Sequence, residues 1–170
     1  TCLTSFKCLY SYTERPCPGG CDLNADVCIN NTLTTYSRMF NPGAYGRINA
    51  VAISKVNGDL LVAGVAGLEP TAADGWVMRL RPSGDIVWSR RIGGPTRDEL
   101  LAVAATADDG CIAAGFTESG GAQNGDGWVV KLNAGGEVEW EARYGGQNRD
   151  ELRAIRQLDD GSFVAAGMTK

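Results

Sequence analysis

From about residue 33 onward, short apolar runs alternate with pairs of turn-forming residues. The runs are four to seven residues long and are closed by Asn57-Gly58, Ser83-Gly84, Asp109-Gly110, Gly135-Gly136 and Asp160-Gly161. Such pairs tolerate the positive φ of tight hairpin turns, so the runs between them are predicted to be β-strands. Trp76-Val77-Met78-Arg79-Leu80 and Trp128-Val129-Val130-Lys131-Leu132 place Trp and Leu on one face and the basic residue on the other. That is a period of two, the strand period, and not 3.6. A weak helical signal appears only at Asp98 to Thr106 and at Asp150 to Leu158.

The strand pattern is itself periodic. Residues 74–100 laid over 126–152 are identical at 14 of 27 positions, an offset of 52. The shared frame is Asp-Gly-Trp-Val-x-x-Leu, then Gly-x-x-x-Trp, then Arg-x-Gly-Gly-x-x-Arg-Asp-Glu-Leu. A fainter copy lies upstream, with Tyr36-Ser37-Arg38 in place of Trp88-Ser89-Arg90 and Ala50-Val51-Ala52 in place of Ala102-Val103-Ala104. Four short strands in a period of this size are the dimensions of a propeller blade. The expected fold is therefore all-β: a β-propeller-like repeat of four-stranded blades, about 33–84, 85–136 and a partial 137–170. Propellers close with about 4–8 blades, and the repeat phase covers only about 2.5–3. Either a longer chain or other subunits are expected to cover the open edges.

Composition narrows the function. The chain has 170 residues, 44% of them hydrophobic and 21% charged, and it carries no histidine. Without histidine the commonest general base, the hydrolytic triads and most zinc sites fall away together. The net charge of −4, with 16 basic residues scattered among 20 acidic ones, argues against a nucleic-acid partner. No apolar stretch is long enough for a membrane span. The first residues lack the charged and apolar segments of a signal peptide, so a secreted protein of this sequence is expected to have lost its signal already.

Cysteine divides the chain. Cys2, Cys8, Cys17, Cys21 and Cys28 crowd the first 28 residues, whereas Cys111 stands alone in an apolar run. The cluster contains no C-x-x-C spacing, so residues 1–32 are expected to form a disulfide-stapled, extracellular-type segment and not a metal site. An odd count leaves one free thiol, a pairing with Cys111 or a bond to another chain. Connectivity stays open. The segment is a candidate cap over the exposed edge of the first blade, or equally a binding knob.

The string Gly115-Phe116-Thr117-Glu118-Ser119 through Asp126-Gly127-Trp128-Val129-Val130-Lys131-Leu132 to Asp150-Glu151-Leu152 resembles bacterial β-propeller repeats found in large secreted or cell-surface proteins. The resemblance covers 33–170 and is specific to the repeat. It implies an extracellular propeller used as an adhesion or protein-interaction scaffold. The Gly-x-x-x-Trp step also resembles the tryptophan-docking motif of pyrroloquinoline quinone dehydrogenase propellers. Those have eight blades, and their cofactor site draws on several of them.

Several residue sets could carry chemistry, and each has a structural reading beside it. Trp76, Trp88, Trp128 and Trp140 could stack sugars or a quinone, but their recurrence in both copies suits packing that every blade needs. Arg97-Asp98-Glu99 and Arg149-Asp150-Glu151 offer paired carboxylates; duplication favours structural hydrogen bonding over a unique catalytic site. The loops 72–75 and 124–127 lack the acidic density of a Ca²⁺ site and read as Asx turns. Asn30-Asn31-Thr32 makes Asn30 a candidate glycosylation site. No catalytic residue, cofactor or metal is expected. The sequence thus predicts a non-enzymatic extracellular module for protein interaction, adhesion or assembly. Its partners are expected to be other protein subunits or the remainder of a longer chain, and carbohydrate is a further candidate. The rival readings are a fragment of a quinoprotein-type propeller oxidoreductase and a carbohydrate-binding propeller.

Overall fold

The turn pairs fall where the chain reverses. Gly58, Gly84, Gly136 and Gly161 have φ between 77° and 87°, but at Asp109-Gly110 the aspartate takes the left-handed conformation, with φ 63°. Aspartate tolerates that region better than most residues because its short side chain bonds locally.

The computed structural model describes residues 21–22, 27–30, 33–34, 40, 43–120 and 124–170. The chain divides into two compact units, Thr1–Phe40 and Asn41–Lys170. In the first, β1 (Cys21–Asp22), β2 (Val27–Asn30) and β3 (Leu33–Thr34) form a small antiparallel sheet. Its register sets Cys21 opposite Cys28. Asn30 is the last residue of β2. Cys2, Cys8 and Cys17 lie outside the described residues.

The second unit is all-β. Sheet one runs β4 (Tyr45–Ile53), β5 (Leu60–Gly67), β6 (Asp74–Leu80), β7 (Ile86–Ile92), each strand antiparallel to the next in sequence. Sheet two repeats this order with β8 (Asp98–Ala105), β9 (Cys111–Thr117), β10 (Asp126–Leu132) and β11 (Val138–Tyr144). A third sheet has two strands, β12 (Asp150–Gln157) and β13 (Phe163–Thr169). Among the described residues the only helical element is a 3-10 turn, Pro70–Ala72.

The two segments with a helical signal are thus the strands β8 and β12. Leu and Ala favour helix locally, but here the sheet neighbours decide. Each strand also contains a bulge, at Leu100/Ala102 and at Leu152/Ala154, which breaks the simple alternation a strand would show. The bulge explains a recurring glycine. A side chain at Gly115 would place its Cβ 1.8 Å from the Glu99 carbonyl oxygen, and one at Gly167 the same distance from that of Glu151.

Sheet two is the middle layer, and its strands β8, β9 and β10 are buried on both faces. On one side Leu61, Ala63, Val77 and Trp88 of sheet one meet Leu100, Ala113, Trp128, Val130 and Leu132. On the other, Ala102, Ile112, Ala114 and Val129 receive Leu152, Ile155 and Phe163 from the third sheet. The paired alanines of β9 let the layers approach closely. Packing between sheets gathers on the first strands: β8 lies against β4, β5 and β6, and β12 against β8, β9 and β10.

Polar ties cross the same junctions. Arg79, on the face opposite Trp76 and Leu80, is buried: it donates to Asp59 at 2.7 Å and to both carboxylate oxygens of Asp109, at the tip of the next sheet, at 2.9 and 2.8 Å. Lys131, its counterpart one period on, is buried too and binds Asp108 and Glu139 at 2.7 and 2.9 Å. A buried charge is tolerable only when paired this fully. Trp88 reaches across, its Nε1 donating to the Ala134 carbonyl at 2.9 Å in the turn between β10 and β11.

Candidate functional site

Two regions of the second unit combine accessibility with unusual chemistry: a cleft over the first strands, and the exposed third sheet.

The cleft is built from the N-terminal ends of β4, β8 and β12, the first strands of the three sheets. It has a volume of about 410 Å³ and is lined by Arg47, Asn49, Arg97, Glu99, Leu101, Phe116, Arg149, Glu151 and Arg153. Glu99 is fully buried at its base. Its Oε1 accepts from Arg47 and, at 2.9 Å, from Asn49; its Oε2 accepts from Arg97 at 2.7 Å. Burial by itself would raise this carboxyl's pKa, but the bonds from Arg47, Arg97 and Asn49 outweigh it and hold the group below the usual carboxylate range. Glu151 repeats the arrangement one sheet on, held by Arg149 at 2.7 Å and Arg153 at 2.8 Å, and its pKa is lowered by those bonds against the opposing effect of burial. Phe116 lies beneath, with the Arg149 guanidinium 4.3 Å and that of Arg97 5.1 Å from its ring centre. Such stacking fixes the orientation of both forks.

The paired carboxylates of the sequence motif therefore diverge. Glu99 faces the cleft, whereas Asp98 is buried and accepts from the Gly94 amide at 2.7 Å and from the Ser119 hydroxyl at 2.9 Å. Asp150 accepts from the Gly146 amide at 3.0 Å in the same way. Neither Asp-Glu pair forms an acid and base facing a common substrate. Among the described residues no group of three or more potential ligand side chains could hold a metal ion.

Three of the four tryptophans are buried, and their indole nitrogens are engaged within the protein. Trp76 donates to Ser89 at 2.8 Å, Trp88 to Ala134, and Trp128 to Glu141 at 3.1 Å. Trp140 is 39% exposed and rests against Phe163, ring centres 5.7 Å apart. Cys111 is buried in the core, a free thiol whose pKa burial pushes up to about 12.

The third sheet presents what its predecessors cover. Val164 aligns with Leu61 and Ile112, which are both 0% exposed, yet Val164 is 49% exposed. β5 and β9 each pair on both edges, with β6 and β10 as third strands. Among the described residues β13 pairs on one edge, with β12.

Arg47, Asn49, Arg153 and Phe116 were not evident as site residues from motif reading. The signal available was departure from the repeat: at the offset of 52, Arg47 stands where later copies have Glu99 and Glu151, and Arg153 where the second copy has Leu101.

No family model matches the chain, and no curated protein matches it. Among solved structures, it is similar to a protein of unknown function from Bacteroides caccae, determined at 1.35 Å resolution, with a TM-score of 0.51 and 12% identity. The match covers 82% of this chain and 44% of the other, so the chain spans less than half of that protein's length. At this identity the likeness is one of fold alone.

Proposed function

We propose that this chain is a non-enzymatic, extracellular β-propeller-type module that works by binding or assembling with protein, its third sheet accepting an added strand. The carrying observation is β13. A stretch whose counterparts Leu61 and Ile112 are buried in β5 and β9 lies bare there, with an edge that no described residue pairs and an exposed apolar face. Such an edge is a template for strand addition, in which main-chain bonds supply affinity and alternate side chains supply selectivity.

The two complete sheets specify the occupant. It is an extended segment of the type Asp-Gly-Trp-Val-x-x-Leu, antiparallel to β13, with its Trp opposite Gly167 as Trp76 is opposite Gly64 and Trp128 opposite Gly115. The propeller reading is supported by the gathering of the first strands β4, β8 and β12 against one another, as the inner strands of blades gather round an axis. Extracellular placement is supported by the cysteine density of the first 28 residues. A stacking platform for sugar or quinone is disfavoured, because only Trp140 leaves a substantial part of its surface open.

The test is a titration of the chain with the peptide Asp-Gly-Trp-Val-Val-Lys-Leu, followed by tryptophan fluorescence, with sedimentation velocity in parallel. Saturable binding that a Val164→Asp variant loses is expected. A compact, stable 18.0 kDa monomer indifferent to the peptide would sink the proposal.

A further inference from the structure

We propose that the arginine cleft over β4, β8 and β12 is a binding site for a small oxyanion, a carboxylate or phosphoryl group. This goes beyond strand addition and rests on different residues.

The first argument is charge. Four guanidiniums line the cleft against the two carboxylates of Glu99 and Glu151, and among the described residues the further acid engaged is Glu118, 3.3 Å from Arg149. Each glutamate is claimed by two arginines, so the cleft keeps a positive surplus in a chain whose net charge is −4. The second argument is origin. Arg97 and Arg149 belong to the repeat, and Arg47 and Arg153 break it, so departures from the repeat bring two further positive charges into this cleft. A purely structural pair at each glutamate needs no such addition, because Arg97 and Arg149, just ahead of β8 and β12, already hold Glu99 and Glu151.

The third argument is donor geometry. The stacking on Phe116 presents two guanidinium planes at fixed orientation, and Arg Nε–H and Nη–H forks match the paired oxygens of carboxylate and phosphate. Arg97 Nε is buried and has no acceptor within the protein. A buried donor left over in an otherwise bonded network is where an external acceptor binds most favourably. Arg47 and Arg153 are 53% and 60% exposed at the mouth, and each spends only part of its five N–H donors on its glutamate.

Isothermal titration of the whole chain at low salt with inorganic phosphate, sulfate and glucuronate tests the assignment. At least one ion is expected to bind saturably, about ten-fold more weakly in Arg153→Gln and unchanged in Lys55→Gln, a lysine exposed elsewhere on β-sheet one's tip. Arg153→Gln leaves Glu151 with Arg149, so the fold is retained. Preference for glucuronate assigns a carboxylate ligand and preference for phosphate a phosphoryl one. Absence of saturable binding by all three overturns the site, as does binding that survives intact in both Arg153→Gln and Arg47→Gln.

Discussion

Two tryptophans at the same position of the repeat differ in what they do. Trp88 is 7% exposed, lies on the turn of the next sheet against Gly136 and bonds to the Ala134 carbonyl. Trp140, 52 residues on, lies tilted against Phe163 with ring centres 5.7 Å apart and is 39% exposed. Truncating a fully packed aromatic removes its transfer energy and leaves a cavity, at a cost of about 3–5 kcal/mol. Trp88→Ala should lose that much in urea unfolding, while Trp140→Ala should lose about 1 kcal/mol, since the area it buries is smaller. Equal losses would mean that the two residues are packed alike in solution. Sequence identity marked both as architectural, but it could not distinguish them, because the difference lies in what each tryptophan has to rest on.

At the scale of strands and turns, the hairpins were legible because turn chemistry is local: Asn-Gly, Ser-Gly and Asp-Gly report their own backbone. The all-β class followed from it. The polar junctions were not legible, because Glu99 bonds to Arg47 across 52 residues and Arg79 to Asp109 across 30. Residues so far apart show no mutual spacing rule, and only the stacking of first strands brings them together. The same remote bonds predict an acid response. Burial opposes ionisation of Glu99, Glu151 and Asp108, yet arginine bonds at the first two, and Lys131 and Thr106 at the third, hold all three below their ordinary values, Asp108 at about 2. A carboxyl whose folded pKa is depressed stabilises fully above its unfolded pKa, and that contribution disappears as pH falls through the folded value. Urea midpoints should therefore hold near neutrality and fall between about pH 5 and about pH 2. Glu99→Gln should cost about 1–3 kcal/mol at neutral pH, because the amide carries no charge and offers Arg47 and Arg97 one acceptor oxygen in place of two, and should flatten the acid limb. An acid limb of unchanged steepness in Glu99→Gln would place the responsible carboxyls elsewhere.

For the second unit as a whole, the balance of covered and bare surface follows the count of strands. Sheet two is shielded by sheet one and by β12–β13, and Leu100, Ile112, Val130 and Leu132 are fully buried in it. The third sheet has one neighbour and two strands, so its apolar residues contribute only part of what their counterparts do. Lys170 stands at the position of Glu118 in the repeat, and a chain extended beyond it by a copy of residues 119–144 would supply the missing third and fourth strands in register. The added turn would also bring a carbonyl to Trp140, as Ala134 serves Trp88. Covering Val164 and its neighbours is worth about 2 kcal/mol by area, and at roughly 2–4 °C per kcal/mol for a chain of this size the thermal midpoint should rise by about 4–8 °C. Trp140 emission should shift to shorter wavelength as its ring leaves water. A Val164→Asp substitution in the extended chain should abolish both changes, because a carboxylate under the added strand would be buried without a partner. If the extension left midpoint and emission unchanged, the bare face of β13 would not be a seat for a strand, and the assembly reading would fall with it.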